Sequence, residues 1–423
     1  MGTIISSIAT AALVCCLAYL LLLLARELKS YVAQGQQHVL DRQMLGARIA
    51  QVSEPITKLA SKPNEGAWAG VRKFVLEGKV LECESICSFY LKPHDGKPLP
   101  QFLPGQYLTF QFNIPGQPRA TTRCYSLSDS PNHPDYYRIT VKRIPPPRDQ
   151  PDAPAGLSSS FVHHTLQAGD IIDVKAPSGH FYLDVEHHGP VVLIGGGIGV
   201  TPMISMLNYI TEVGSTRETH FFYGVRNSAE HVMSDWLRAK ANEHENVHLH
   251  VCYSDPLEDD EEGEDYQHQE RVSVDLFKRV LPSNNYDFCI CGPAPMMDSV
   301  TADLKAWGVP DSKVHFEAFG PATVKRVAKK PSDDSAASQN LAVTFTRTGK
   351  TIAWDGSSAS ILEFAEENDI PMDSGCRAGN CGTCITAVRS GDVEYLSEPG
   401  SAVESGSCLA CISIPKTALS IDA

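Results

Sequence analysis

The sequence predicts a chain of several parts: an N-terminal transmembrane helix, an antiparallel β-barrel, an α/β domain on a parallel sheet, and a small α+β domain that binds metal. Three observations predict this. Residues 4–25 form an apolar run of 22 residues without a charge. At Pro190 short alternating runs give way to strand–helix alternation. Five cysteines fall between Cys376 and Cys411.

The length of 423 residues suits about three domains at roughly 150 residues each. Hydrophobic residues at 42% and charged residues at 20% exclude wholesale disorder, a collagen-like repeat and a polytopic membrane protein. The net charge of −14 argues against nucleic acid, whose phosphates require a basic footprint. Two segments carry the imbalance. Residues 255–270 hold nine carboxylates and no Lys or Arg, and residues 341–423 hold 11 acidic against 5 basic residues.

As a helix, residues 4–25 would span about 33 Å, enough for the hydrocarbon core. No basic residue precedes the run, and no small-x-small site follows it before Arg26, so it reads as an uncleaved anchor. Arg26, Lys29, Arg42 and Arg48 follow, which places the bulk of the chain on the cytoplasmic side. The anchor takes residues 1–30 and a polar connector residues 31–70.

From residue 71 to 187, runs such as 79–83, 107–112 and 137–142 alternate between turn residues, the pattern of an antiparallel barrel. From 188 to 322, strands at 191–194, 220–223, 247–253 and 286–291 alternate with helices at 205–211 and 229–242, as in a parallel sheet with crossovers. Residues 323–340 are rich in Lys, Ala, Ser and Asp and read as a linker. Residues 341–423 form the last domain.

The sharpest motif is Cys376-Arg377-Ala378-Gly379-Asn380-Cys381-Gly382-Thr383-Cys384. Its C-x₄-C-x₂-C spacing suits a 2Fe-2S cluster with a fourth cysteine later in the chain. Gly375, Gly379 and Gly382 allow the tight curl that brings three thiolates together. The fourth ligand is expected at Cys411, with Cys408 in reserve. Zinc sites more often pair two short knuckles. The order strand, strand, helix, cluster loop, strand resembles the plant-type ferredoxin domain, which implies a β-grasp fold.

Arg123-Cys124-Tyr125-Ser126 suits a flavin: an aromatic ring for the isoalloxazine, a guanidinium for phosphate and a hydroxyl for the ring system. Gly156-Leu157-Ser158-Ser159-Ser160 reads as a small-residue helix start for pyrophosphate. In the α/β domain, strand 191–194 leads into Gly195-Gly196-Gly197-Ile198-Gly199-Val200-Thr201-Pro202. Thr201 is expected as N-cap and Pro202 as first helical residue, with the glycines leaving room for a diphosphate.

Together these segments resemble the ferredoxin–NADP reductase superfamily, most closely the reductase part of flavohaemoglobins, over roughly residues 66–423. The resemblance implies a flavin domain in the barrel, with FAD rather than the FMN of some oxygenase reductases, and a nicotinamide domain in the parallel sheet. It adds Tyr107, Val141 and Lys142 to the flavin residues, and Cys291-Gly292-Pro293 near the nicotinamide. Phe319 is the implied aromatic cover of the flavin. The sequence leaves NADH and NADPH both open. Arg226 suits a 2′-phosphate, whereas the acidic stretch 255–270, read as a solvated insertion, disfavours one.

The implied activity is a membrane-tethered NAD(P)H-dependent reductase. It passes electrons through FAD and a 2Fe-2S cluster to a partner protein such as an oxygenase, desaturase or other metalloenzyme, with no general base or nucleophile needed. The acidic last domain is expected to meet a basic patch on that partner. The alternatives are direct reduction of a small acceptor such as a quinone, and a non-catalytic redox-sensing subunit.

Overall fold

The computed structural model describes residues 67–117, 120–146, 152–317, 319, 341–379, 381–396, 399 and 403–423. The expected anchor, most of the connector and the linker 323–340 lie outside the described residues. Among the described residues, no helix is long and apolar enough to cross a membrane.

The first sheet contains β1 (Val71–Cys83), β2 (Ile86–Pro93), β3 (Tyr107–Phe112), β4 (Thr121–Ser126), β5 (Tyr137–Lys142) and β6 (Ile171–Ser178). Its order is β4-β3-β6-β1-β2-β5, with antiparallel pairing throughout. Leu127, just after β4, bridges Ile139 of β5, so the sheet closes into the expected barrel. Phe74, Phe89, Phe110 and Tyr137 fill its interior. The sequence shows only the second half of β1, because a register shift between Leu76 and Gly78 interrupts the period-2 pattern. A four-residue helix, α1 (Leu157–Ser160), leads into β6 through a wide turn at Phe161–Thr165.

The second sheet is parallel, in the order β11-β10-β7-β8-β9. Its strands are β7 (Val191–Gly196), β8 (Thr219–Val225), β9 (Val247–Tyr253), β10 (Asp287–Cys291) and β11 (Val314–Glu317). Every residue of β7 is buried, since helices cover both faces. Leu193 and Phe221 pack on α2 (Val200–Glu212) and α3 (Ser234–Glu243). Val192, Ile194 and Phe222 pack on α4 (Val274–Val280) and α5 (Ala294–Ala306). The strand order reverses between β7 and β10, which makes their carboxyl ends the natural ligand crevice.

Helix α2 starts earlier than expected. Gly199 is its N-cap and Val200 its first residue, so Thr201 is not the cap and Pro202 is not the first helical residue. The short turn Gly197–Gly199 already has helical backbone at Gly199, leaving no extended residue from which a hydroxyl can cap. Thr201 instead donates back to the Ile198 carbonyl at 3.1 Å. Pro202, third in the helix, is tolerated because first-turn N–H groups lack intrahelical partners.

Asp129 fastens α2 to the barrel. Its carbonyl accepts from Ser205 at 2.7 Å, and its carboxylate accepts from Asn208 at 2.9 Å and Tyr136 at 3.0 Å. Arg138 pairs with the same carboxylate at 3.3 Å. The last domain combines β12 (Leu341–Phe345), β13 (Lys350–Trp354), α6 (Ile361–Glu367), β14 (Ile385–Ser390), β15 (Val393–Tyr395), β16 (Ser407–Leu409), β17 (Ser413–Pro415) and β18 (Leu419–Ile421). Its main sheet has the order β13-β12-β18-β14-β16 with β12 and β18 parallel, and Phe345, Trp354, Phe364 and Ile412 lie in its core.

The turn after β7 meets the end of β10 so closely that a Cβ on Gly199 would lie 2.3 Å from the Cys291 carbonyl oxygen. Both partners are backbone. Gly199→Ala is therefore expected to cost about 1–3 kcal/mol in urea unfolding.

Candidate functional site

The cluster loop follows α6. Arg377, Gly379 and Gly382 all have left-handed backbone, which curls the chain within nine residues. Arg377, the non-glycine among them, is held by paired contacts to Glu366. The curl aims amides at sulfur. Cys376 Sγ accepts from the N–H groups of Ala378 at 3.4 Å and Cys381 at 3.3 Å, and Cys381 Sγ accepts from the Cys376 N–H at 3.2 Å. Cys384 Sγ lies 3.1 Å from Cys411 Sγ. A Cβ on Gly375 would come within 2.7 Å of Cys381 Sγ.

Four free thiols thus stand in two pairs, Cys376 with Cys381 and Cys384 with Cys411. An all-sulfur set with amides directed at it fits a 2Fe-2S cluster. Hydrogen bonding with Cys124, then with Cys376, holds the Cys381 thiol well below the ordinary range, toward the thiolate a metal requires. Cys408 sits on β16 opposite Thr386, and burial pushes its thiol up to about 11.

The flavin cleft is lined by Arg123, Cys124, Tyr125 and Ser126 of β4, Val141 and Lys142 of β5, Gly156, Ser158 and Ser159 around α1, and Ile198, Thr201 and Phe319. Thr140, Ile144 and Leu157 complete the wall. Tyr125 packs its ring on Phe110 and Phe112. Arg123 donates to the Thr122 carbonyl at 2.7 Å and has no carboxylate partner among the described residues. Ser159 is used locally, donating to Gly156 and accepting from the Ile144 N–H. Ser126 Oγ and Ser158 Oγ, by contrast, are buried without a hydrogen-bond partner. Buried hydroxyls in that condition fit a bound polar ligand, and an FAD supplies one.

Two expected flavin residues also touch other parts of the molecule. Tyr107 does not border the cleft; it is buried beside Gly179, on the side facing Cys124, Cys376 and Cys381. Tyr107 pairs with Ser126 and Thr109 with Cys124, so these four side chains share one face of the sheet. Lys142 reaches across to Glu230 of the parallel-sheet domain at 3.2 Å.

Cys124 occupies the junction. It lines the flavin cleft, its thiol lies 3.5 Å from the Thr109 hydroxyl, and it neighbours the thiols of Cys376 and Cys381, which help to keep it neutral. Thr122, two residues earlier, packs against Gly375. The cluster loop therefore docks on β3 and β4 directly behind the flavin cleft.

At the carboxyl edge of the parallel sheet, Gly195, Cys291 and Glu317 lie in one row across β7, β10 and β11. The expected room for a diphosphate is partly filled by the chain itself. Cβ atoms on Gly196 and Gly199 would strike Met296, Pro293 and Cys291, while Gly197, with positive φ, has open space beside it. Gly292 is likewise confined by Met296 and Gly196. Burial, then the neighbouring Glu317, keeps Cys291 a neutral thiol.

Glu317 was not legible as a site residue from its sequence position. It is fully buried, and burial pushes its carboxyl up to about 8, slightly offset by the Ser126 hydroxyl. Its Oε2 has no hydrogen-bond partner. Ser126 and Glu317 thus place buried polar atoms between the flavin cleft and the nicotinamide edge.

The acidic segment 255–270 is largely exposed, as expected of a solvated insertion, and it is pinned at a few points. Tyr266 is buried and stacks on Tyr253 at 4.9 Å, and His268 bridges Cys252 of β9. Asp260 accepts from the N–H groups of Leu257 at 2.8 Å and Ser228 at 3.3 Å, folding the segment over the end of β8. There Arg226 faces Glu230 at 3.9 Å.

Two outcomes follow from this geometry. Cys411→Ser is expected to lower iron content and bleach the cluster spectrum, while Cys408→Ser leaves both unchanged; iron analysis and absorption spectra check this. Glu317 has a higher pKa folded, about 8, than the usual 4.5, so its contribution to stability is full below 4.5 and is lost as pH rises through 8. Glu317→Gln is expected to flatten that loss when unfolding is followed across the interval.

Family models match three stretches: an oxidoreductase FAD-binding domain over residues 73–182, an oxidoreductase NAD-binding domain over 193–302, and a 2Fe-2S iron-sulfur cluster binding domain over 343–416. The flavohemoprotein of Bacillus cereus is 41% identical over 259 residues, 61% of this chain and 63% of its own length. That of Rhodopirellula baltica is 42% identical over 263 residues, 62% of this chain and 63% of its own. The chain thus spans somewhat less than two thirds of these curated relatives. Among solved structures, phthalate dioxygenase reductase, described as a modular structure for electron transfer from pyridine nucleotides to 2Fe-2S, is similar at 27% identity. Its TM-score is 0.53, covering 86% of this chain and 100% of that one. The flavohem-like FAD/NAD-binding domain of nitric oxide dioxygenase from Vibrio cholerae matches with a TM-score of 0.53 and 31% identity, over 60% of this chain and 100% of that one. With that domain covered end to end and a 2Fe-2S domain following it, the chain belongs to the flavohaemoprotein-type FAD- and NAD-binding reductases, oxidoreductases whose cofactors here are FAD, NAD(H) and a 2Fe-2S cluster.

Proposed function

We propose that this chain is a membrane-anchored reductase that takes electrons from NADH and delivers them through its cluster domain to a partner metalloprotein such as an oxygenase or desaturase. The observation that carries this reading is β4, whose Cys124 lines the flavin cleft and neighbours two cysteines of the cluster loop while Thr122 packs on Gly375. A bound flavin supplies the conversion from two-electron hydride chemistry to one-electron transfer. The residues of the chain position and insulate. Arg123 and the Ser158 hydroxyl are suited to the flavin phosphates, and Tyr125 to the ring system. Ser126 and Glu317 offer buried polar atoms at the reacting edge, and Cys291 packs against the nicotinamide side. Phe319 stands at the cleft and must yield when the nicotinamide arrives. Cys376, Cys381, Cys384 and Cys411 hold the cluster.

NADH is favoured over NADPH on charge. Glu230 faces Arg226, and Asp260 already occupies the Ser228 amide at the end of β8, so a 2′-phosphate there meets carboxylates. The acceptor is a protein with a basic docking patch, because residues 341–423 carry 11 acidic against 5 basic residues. The phthalate dioxygenase reductase likeness supports an oxygenase-type acceptor. Residues 4–25 supply the anchor, with the soluble domains on the cytoplasmic side.

The test is anaerobic titration of the purified full-length protein with NADH and then NADPH. The expected outcome is bleaching of both flavin and cluster bands, with the larger kcat/KM for NADH. Failure of both coenzymes to bleach either band would sink the reductase reading, and a preference for NADPH would overturn the coenzyme assignment.

A further inference from the structure

A group of histidines lies far from the cofactors, at the opposite end of the parallel sheet. Glu218 directly precedes β8 and is two residues from His220, so their side chains share a face. His248 of β9 is the register partner of His220 in the parallel ladder and joins them on that face. His220 Nε2 is 3.0 Å from Glu218 Oε1, and the ligand atoms of Glu218, His220 and His248 all lie within 4.8 Å of one another. Tetrahedral ligands about 2.0–2.1 Å from zinc are about 3.3 Å apart, so the Glu218–His220 spacing is already close to one edge. His248 is exposed and has room to close the third corner. Tyr286 donates to Glu218 at 2.9 Å and fixes the carboxylate.

Behind this trio runs a chain of imidazoles. His220 Nδ1 is 3.2 Å from His250 Nε2, and His250 Nδ1 is 3.4 Å from His268 Nε2. We propose that Glu218, His220 and His248 form a binding site for a borderline divalent cation of the zinc type, with water in the open position, and that His250 and His268 are its supporting shell. Two nitrogens and one carboxylate are a donor set for such an ion, and each ligating imidazole needs a partner on its second nitrogen.

Binding has a consequence at a distance. Without metal, the Glu218 carboxylate only accepts, so His220 carries its proton on Nε2. His220 Nδ1 must then accept from His250 Nε2–H, and His250 Nδ1 from His268 Nε2–H. With metal on His220 Nε2, the proton sits on Nδ1 and donates to His250, and each imidazole along the chain takes the Nδ1–H form. No net proton is gained or lost at the three rings. His268 lies at the root of the acidic segment, where it bridges Cys252, so the state of the site is relayed to the base of that segment.

The test is calorimetric titration of the holoprotein, cluster oxidised and intact, with zinc chloride, together with nitrogen NMR of 15N-histidine-labelled protein. The expected result is one saturable zinc site per chain outside the cluster, weakened at least about 10-fold by His248→Ala and by Glu218→Gln. Zinc should also convert His268 from the Nε2–H to the Nδ1–H form in the unsubstituted protein. His248 is exposed, so its replacement leaves the core intact, and Glu218→Gln keeps the shape of the side chain. Zinc binding that is absent, or equally tight in both variants, would overturn the site. A His268 signal unmoved by bound zinc would overturn the relay. Neither result touches flavin or cluster bleaching, so the reductase reading is tested separately.

Discussion

Passing electrons one at a time between two centres requires that the centres be adjacent, and strand β4 meets that constraint by using both its faces. Successive side chains of a strand point to opposite sides. Arg123 and Tyr125 face the cleft side, where Tyr125 rests on Phe110 and Phe112. Thr122 packs on Gly375, and Cys124, which also borders the cleft, neighbours Cys376 and Cys381. β4 is an end strand of the sheet, with only β3 as a full ladder partner. One six-residue strand therefore sets the separation between the flavin cleft and the cluster loop.

The nicotinamide side is held to the same cleft by different means. The Asp129 carboxylate and carbonyl collect Arg138 and Tyr136 from the barrel and Ser205 and Asn208 from α2. Because α2 begins at the turn after β7, fastening that helix also fixes the turn, with Ile198 and Thr201 on the cleft wall. At the end of the row Gly195, Cys291 and Glu317, the Glu317 carboxyl meets Ser126. The buried, unpartnered oxygens of Ser126, Ser158 and Glu317 are costly in an isolated chain and reasonable in one that binds polar cofactors.

Much of this was legible because it depends on local chemistry. The spacing from Cys376 to Cys384 is a property of one curled loop, and the strand–helix alternation after Pro190 follows from burial on both sheet faces. The end of α2 toward the cleft was misread because a capping hydroxyl at Thr201 looks the same in sequence whether or not the backbone before it is extended. The exposure of the acidic segment was legible in its charges, whereas its attachment through Tyr266, which stacks on Tyr253, was not.

The sequence by itself determined the modules, their order and their cofactors, since each cofactor demands particular residue types at short spacing. Tertiary structure decided everything that joins distant segments. It brought Cys124 to a cluster loop some 250 residues later, Glu317 to Ser126, Asp260 to the Ser228 amide, and Glu218 and His220 to His248. Those pairings have no local signature, because they are set by strand register and by which faces the packed sheets turn toward one another.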